Sequence, residues 1–379
     1  MIWLALGIFD TVHVHNSAEF VAAARDAKPG RHILLEPGEY KGGVHIENLH
    51  GTVKDSIVIN AADPKNPPVF VGGGSGIQFS KISFVEISNL TIRNAEGNGL
   101  NIDDGGTLDK PSQAVYLENI RVTDLPAGNH DGIKLSGLVG FVIEKCTVEK
   151  WGGSAIDMVG CRNGIVVDCT FKNGGSNGVQ MKGGTKSIKV MSSRFEDCGE
   201  RSVNLGGSTG LPYFRPPIQS IAEGQRAEAK NLTIEHCTFS GSTSPIAFVG
   251  VDGALVRYNT IYNPGRWAIR ILQETNTPDF VKCRSGVFES NLIVFRSDSW
   301  ASGGVNVGAG TWPTSFRFAR NFWYCEDQPS RSKPNLPTEE LDGVYGKDPM
   351  LVDPLKGDYR VSIQNISKKY GAGAIPVQR

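Results

Sequence analysis

Lys134, Asp157, Gln180 and Asn204 follow one another at steps of 23, 23 and 24 residues, and each stands in the middle of an apolar triplet. The triplets read Ile133-Lys134-Leu135, Ile156-Asp157-Met158, Val179-Gln180-Met181 and Val203-Asn204-Leu205. In a strand, neighbouring side chains face opposite ways, so the flanking pair goes inward and the middle residue outward. Stacked on successive strands, these middle residues would bring an ammonium, a carboxylate and two amides within reach of one ligand. Lys182, Arg201, Arg215 and Arg270 add positive charge nearby, and His130 and Tyr213 are further groups able to donate or accept a proton. Such a set could run a β-elimination on a uronate. That reaction needs positive groups or donors on the sugar carboxylate, a base for the proton at C5 and an acid for the leaving oxygen. A lysine crowded by other cations is more easily deprotonated and can serve as the base.

Plainer explanations stand beside this one. A single Lys or Asn on a strand surface is more often merely solvated, so the argument rests on the cluster from Lys134 to Asn204 with Arg215. Asp131, just before a strand, commonly bonds its own backbone as a turn residue. Hydrolysis of a glycoside would require two or three carboxylates on one face. Here only Asp157 lies on the ladder, with Asp103 and Asp131 near neighbouring coils, so hydrolysis ranks behind elimination. Among the tryptophans, Trp151, Trp312 and Trp323 read as turn packing, and Trp267 is the best candidate for a sugar platform.

The elements that must carry this set are repeats. Leu100-Asn101-Ile102, Ile246-Ala247-Phe248, Ile269-Arg270-Ile271 and Val305-Asn306-Val307 extend the triplets, with longer steps where loops intervene. A recurring step near 23 with one strand per coil is the mark of a solenoid. A second column follows mid-coil: Asn89, Asn119, Cys146, Cys169, Ser193, Cys237, Asn259, Asn291 and Asn321. Small polar side chains repeated at an inward turn can hydrogen-bond from coil to coil, so this column reads as structural. Three of the seven cysteines fall in it, and the odd count without paired spacing argues against a disulfide framework.

The chain has 379 residues, 46 of them glycine, and 39 basic residues balance 39 acidic ones. No net field draws it to nucleic acid, and no apolar run is long enough to span a bilayer. A solenoid lengthens by adding coils, so the length fits a single domain, and a monomer is expected. Residues 1–15 read either as a signal remnant or as a first strand. Residues 16–328 form the solenoid, opened by a helix near 17–27 with Asn16 as N-cap and Glu19 reaching back. That helix would cover exposed strand edges at the end of the stack. Polar insertions at 103–113, 206–230 and 273–286 all leave the same end of a ladder strand, so they should wall one edge of a groove. Residues 329–379 form a tail that packs along the solenoid or caps its far end.

The layout resembles right-handed parallel β-helix proteins, in particular the polysaccharide lyase family that includes chondroitinase B and alginate lyases. The resemblance is carried by SAEFVAAARDAKPGRHILLEPGEYKGG (17–43), GTVKDSIVINAADPKNPPVFVGGG (51–74) and GKDPMLVDPLKGDYRV (346–361). It implies an all-β, single-domain right-handed parallel β-helix with an N-terminal cap helix, and an extracytoplasmic address. It further implies cleavage of an acidic polysaccharide by a Lys base with an Arg nearby, commonly with Ca²⁺ held by carboxylates and an Asn. Lys182 in NGVQMKGGTKSI stands where the family's catalytic Lys would be. At the family's metal-binding positions this sequence offers Gln180 and Asp157, with Asp131 and Asp157 the only candidate metal ligands. The family's catalytic Arg falls on glycine in Ser202-Val203-Asn204-Leu205-Gly206-Gly207, and Arg201 and Arg215 flank it.

The expectation is therefore a lyase on a uronate-containing polysaccharide. Lys182 is the base, and Arg201, Arg215 and Asn204 stabilise the carboxylate. Lys134, Asp157, Gln180, Arg270, Tyr213, His130 and Trp267 would line the substrate. The alternatives are a non-catalytic carbohydrate-binding β-helix and a glycoside hydrolase.

Overall fold

The apolar triplets form parallel strands whose middle residues share one register, with a bulge after Asn204. Lys134 pairs with Asn101 and Asp157, Asp157 with Gln180, Gln180 with Asn204, Asn204 with Ala247, Ala247 with Arg270, and Arg270 with Asn306. His45 and Gln78 extend this ladder toward the N-terminus, giving a ten-stranded sheet from Val44–Glu47 to Val305–Val307. The flanking residues Ile133, Leu135, Ile156, Met158, Val179, Met181, Val203 and Leu205 are all fully buried. A 23-stranded sheet makes the remaining faces of the coil. The computed structural model describes residues 10–361 and 371–374. They form the right-handed parallel β-helix read from the sequence, an all-β single domain with one α-helix.

That helix, Ser17–Arg25, starts as its capping residues dictate. The Asn16 side chain accepts from the Glu19 backbone N–H at 3.0 Å, and the Glu19 carboxylate accepts from the His15 backbone N–H at 2.8 Å. Phe20, Ala23 and Ala24 turn inward, and the Phe20 ring lies 5.9 Å from that of Phe70 in the first coils. The stretch Met1–Phe9 lies outside the described residues; Thr11–Val14 is a strand paired with His32–Leu35. The C-terminal hairpin of Leu351–Asp353 and Asp358–Val361 packs along the side of the coils, with Tyr359 against Tyr262 and Arg194 over its ring.

The polar column inside the turn is real but starts later than its sequence pattern implies. Asn259 takes a hydrogen bond onto its Oδ1 from the Cys237 N–H at 2.9 Å. It donates its own N–H and Nδ2 to Asn291 Oδ1 at 3.0 and 2.9 Å, and Asn291 repeats the pattern on Asn321. Cys169 N–H donates to Ser193 Oγ at 3.1 Å in the same position. All seven cysteines are buried free thiols. Asn89 and Asn119 do not belong to this column. Arg121 pairs with Thr147, so Ile120 is the partner of Cys146, and Asn119 sits one residue earlier. Asn89 and Asn119 have φ of 58° and 52° and occupy the left-handed corner that Lys145, Asp168 and Ser192 fill in later coils. Asparagine is the non-glycine residue that best tolerates this corner. There Asn119 Nδ2 donates to Asn89 Oδ1 at 2.6 Å and Asn89 Nδ2 to Asn60 Oδ1 at 2.9 Å, so the same residue type builds two adjacent amide columns, one buried in the turn and one at this corner.

This distinction is testable by denaturation. Asn291→Ala strips hydrogen bonds from the buried Asn259 N–H and Val256 carbonyl, and should cost roughly 2–5 kcal/mol at about 1–3 kcal/mol per orphaned group. Asn119→Gly should stay within about 1 kcal/mol of the parent, because glycine suits a positive φ.

Candidate functional site

At the centre of the ladder, two lysines converge on one buried carboxylate. Asp157 is 1% exposed, and its Oδ2 accepts from Lys134 Nζ in a short, direct contact. Lys134 Nζ also donates to Asp131 Oδ2 at 3.2 Å, and Asp131 is fixed in turn by the Ser154 N–H at 2.7 Å. Lys182 Nζ approaches the other oxygen of Asp157 at 3.4 Å, within ion-pair range, yet that oxygen accepts no hydrogen bond. Lys182 is thus held more loosely than Lys134. Burial of Lys134 favours its neutral form, but Asp157 and Asp131 more than offset this and raise its pKa above the usual lysine value. Burial and the neighbouring Asp157 raise the pKa of Asp131, and Lys134 opposes them.

Gln180, one strand on, receives contacts from Ser154 Oγ at 3.2 Å and Lys182 Nζ at 3.4 Å. Beside it a cleft of about 410 Å³ is lined by Gly128, Asn129, Trp151, Ser154, Asn177 and Gln180. A larger cleft of about 710 Å³ lies on the other sheet where the C-terminal hairpin crosses Met191 and His236, and it does not reach the ladder residues. Asn204 faces the same side as Gln180 but is only 1% exposed, and its Oδ1 accepts from Arg201 Nη1 at 3.2 Å. It positions Arg201 and does not face a ligand, which corrects its expected role as a carboxylate donor. Arg201 itself forms an ion pair with Glu274 at 2.6 Å.

The three insertions join into one wall. Arg215 donates from Nε and Nη2 to the two oxygens of Asp104, at 2.7 and 3.2 Å, tying the second insertion to the first. Phe214 meets Phe280 edge-on at 5.5 Å, and Arg226 pairs with Asp279 at 2.7 Å, tying the second to the third. Glu228, fully buried, accepts from Gly183 N–H at 3.0 Å, Thr209 N–H at 2.9 Å, and the hydroxyls of Thr209 and Thr275. The wall lies flat on the turns that follow the ladder strands. A Cβ at Gly160, where φ is +64°, would stand 2.2 Å from Arg215 Cβ.

Arg215 is therefore a buried pin, and its assignment to the substrate carboxylate is corrected. Its guanidinium is consumed by Asp104 and by the Tyr213 carbonyl at 2.8 Å. Tyr213 rides on the wall, 65% exposed, with a free path to solvent, and His130 is half-buried beside Asp131. Trp267 is no open platform: it is 9% exposed, with the guanidinium carbons of Arg266 and Arg270 over its ring at 4.4 and 4.7 Å. Asp104 and Glu228 went unread in the sequence, because acidic residues in a polar loop carry no local sign of a partner 111 or 45 residues away.

Asp131 and Asp157 do not fit a calcium ion. The ammonium of Lys134 lies between them and takes an oxygen from each, where a cation would need several free oxygens. Among the described residues no group of three or more His, Cys, Asp or Glu side chains could hold a metal.

The fold is that of known β-helix proteins. A family model described as "Right handed beta helix region" matches residues 75–212, well under half of the chain. No curated protein sequence matches this chain. Among solved structures, an alginate lyase from Paenibacillus sp. str. FPU-7 is 15% identical with a TM-score of 0.54, covering 79% of this chain and 98% of its own. A PL6-family polysaccharide lyase from Pseudopedobacter saltans is 14% identical with a TM-score of 0.58, covering 96% and 99%. A GH136 lacto-N-biosidase from Eubacterium ramulus is 13% identical with a TM-score of 0.58, covering 89% and 68%. At these identities the likeness is one of fold.

Two outcomes follow from the geometry. Arg215→Ala should destabilise the protein by about 3–5 kcal/mol, the cost of stranding a buried charge, and should open residues 206–230 to limited proteolysis. Lys134→Met should leave Asp131 facing Asp157 without the cation between them. The folded pKa of Asp131, already raised, then rises further above its unfolded value, so the stability it contributes is present at low pH and lost as pH rises. The melting-temperature gap between Lys134→Met and the parent should widen from about pH 4 to about pH 8.

Proposed function

We propose that this chain is a polysaccharide lyase that cleaves a uronate-containing polymer by β-elimination along the ten-stranded sheet. The observation that carries this reading is the unequal hold on the two lysines at Asp157. Lys134 is locked between two carboxylates and kept charged; Lys182 is held at 3.4 Å without hydrogen-bond geometry and can swing to a ligand. One group is suited to supply fixed positive charge and the other to move a proton.

In the proposed reaction the sugar carboxylate lies over Lys134, whose charge stabilises the enolate that forms as C5 loses its proton. Lys182 takes that proton. The electron pair of the C5–H bond becomes the C4–C5 double bond as the bond from C4 to the glycosidic oxygen breaks. The Lys182 ammonium then returns the proton to the leaving oxygen, with Tyr213 on the wall a second donor of suitable chemistry. The fold shared with an alginate lyase and a PL6-family lyase supports the reading. A polymeric substrate fits an extracytoplasmic protein acting as a monomer. No helix among the described residues is long and apolar enough to cross a membrane.

One observation favours a second reading. A lacto-N-biosidase shares the fold, and Asp131 and Asp157 do lie on one face, as a glycoside hydrolase needs. Lys134 engages both carboxylates, however, which disfavours an acid–base pair. A groove that binds glycans without turning them over would use the same residues.

Ultraviolet absorbance during incubation with alginate, pectate, chondroitin, dermatan and heparan polymers separates these readings. A lyase gives rising absorbance on at least one polymer, unchanged by chelator. Lys182→Ala should lower that rate by a factor of about 10²–10⁴, the usual contribution of a general base. Reducing ends without absorbance would replace elimination with hydrolysis, and binding without either would leave a glycan-binding protein.

A further inference from the structure

Beyond the Lys182 centre, the same sheet carries positive charge that the proposed elimination does not use. Arg270 stands on the ladder three strand steps past Gln180, a distance of roughly 14 Å at about 4.8 Å per strand. Its only side-chain hydrogen bond among the described residues goes to a neutral partner, Asn306 Oδ1, at 3.1 Å. Arg266 and Arg270 both lie over the Trp267 ring, and neither forms an ion pair with a carboxylate among the described residues. Arg201 comes from the Asn204 strand, and the ladder position between it and Arg270 is Ala247, too short to separate them. Burial and the nearby Arg201 charge lower the pKa of Arg270.

Two buried donors in this cluster have no acceptor among the described residues: Trp267 Nε1 and Arg201 Nε. A buried donor left unpaired costs about 1–3 kcal/mol, and like-charged guanidiniums brought together add to the cost. Glu274 pairs with Arg201, and only Glu274 and Glu200 act on Arg270 against the field of Arg201 and Arg266. An incoming anion would supply the missing acceptors and the missing charge. Planar guanidiniums suit carboxylate and sulfate in particular, because they can donate two parallel hydrogen bonds.

We propose that Arg201, Arg266, Arg270 and Trp267 form a second anion subsite, which takes a carboxylate or sulfate group of the glycan whose reacting sugar lies at Lys182. The proposal rests on the lyase reading for the identity of the chain but not for the existence of the subsite. It makes the ligand a polyanion, acidic on more than one sugar and long enough to span three strands. A neutral glycan with a single acidic unit would leave the arginines unanswered.

Tryptophan fluorescence, titrated with sodium sulfate and with sodium acetate at constant ionic strength, tests the subsite without any glycan. A saturable change is expected in the parent and in Lys182→Ala. It should weaken at least tenfold in Arg270→Gln and in Arg266→Gln, and vanish in Trp267→Phe. Length-matched uronate and sulfated oligosaccharides then identify the source, as the one whose affinity climbs with length in the parent and loses that climb in Arg270→Gln. No saturable response to either anion, or a response that both arginine variants keep, overturns the subsite. Anion binding that depends on Arg270, with no polymer ever yielding unsaturated product, would keep the subsite and overturn the lyase.

Discussion

Everything in this molecule depends on the parallel register of one sheet. Because side chains alternate along a strand and strands stack in register, a residue type placed once per coil becomes a continuous column. Inward, the columns build the core: Ile133, Ile156, Val179 and Val203 follow one another in register and are fully buried. Outward, the same rule lines up Lys134, Asp157 and Gln180. A slip of one residue would exchange core for surface along the whole face, so the site and the core are specified by the same pairing.

The register delivers groups to a face but does not decide which of them a ligand can meet. That is the work of the insertions and of charge pairing. Asp104 and Arg215 pin the wall, Glu228 gathers its backbone donors, and Arg201 roofs Asn204. At the centre, Asp157 is covered by the two lysines it attracts. The exposed chemistry is therefore cationic, although the ladder itself alternates ammonium, carboxylate and amide. A bulge next to this region, where Leu205 is skipped and Gly206 stands opposite Met181, ends the strand at the base of the wall.

The fold was legible because its signal is periodic. Every apolar-polar-apolar triplet from Leu100-Asn101-Ile102 to Val305-Asn306-Val307 became a ladder strand, in register apart from one bulge after Asn204. The inner column was legible only from Cys146 onward. Asn89 and Asn119 also bond from coil to coil, Asn119 Nδ2 to Asn89 Oδ1 at 2.6 Å, but from a left-handed corner one position earlier, and composition cannot separate two adjacent amide columns. The site was legible as a set of residues, not as a set of roles. Arg215 looked available because its partner lies 111 residues upstream. Asn204 looked exposed because alternation gives direction, not cover. Lys134 looked like one cation among several, and only its contact with both Asp131 and Asp157 marks it as fixed charge.

The central claim is that Lys182 moves a proton while Lys134 holds a charge. The mass of the oligosaccharides released from a uronate polymer tests it most directly, with the parent protein and Lys182→Ala compared side by side. The account predicts fragments whose new non-reducing ends are one water lighter than hydrolytic ones, formed by the parent and not by Lys182→Ala. Fragments carrying the added water, or unsaturated fragments formed equally well without Lys182, would contradict it.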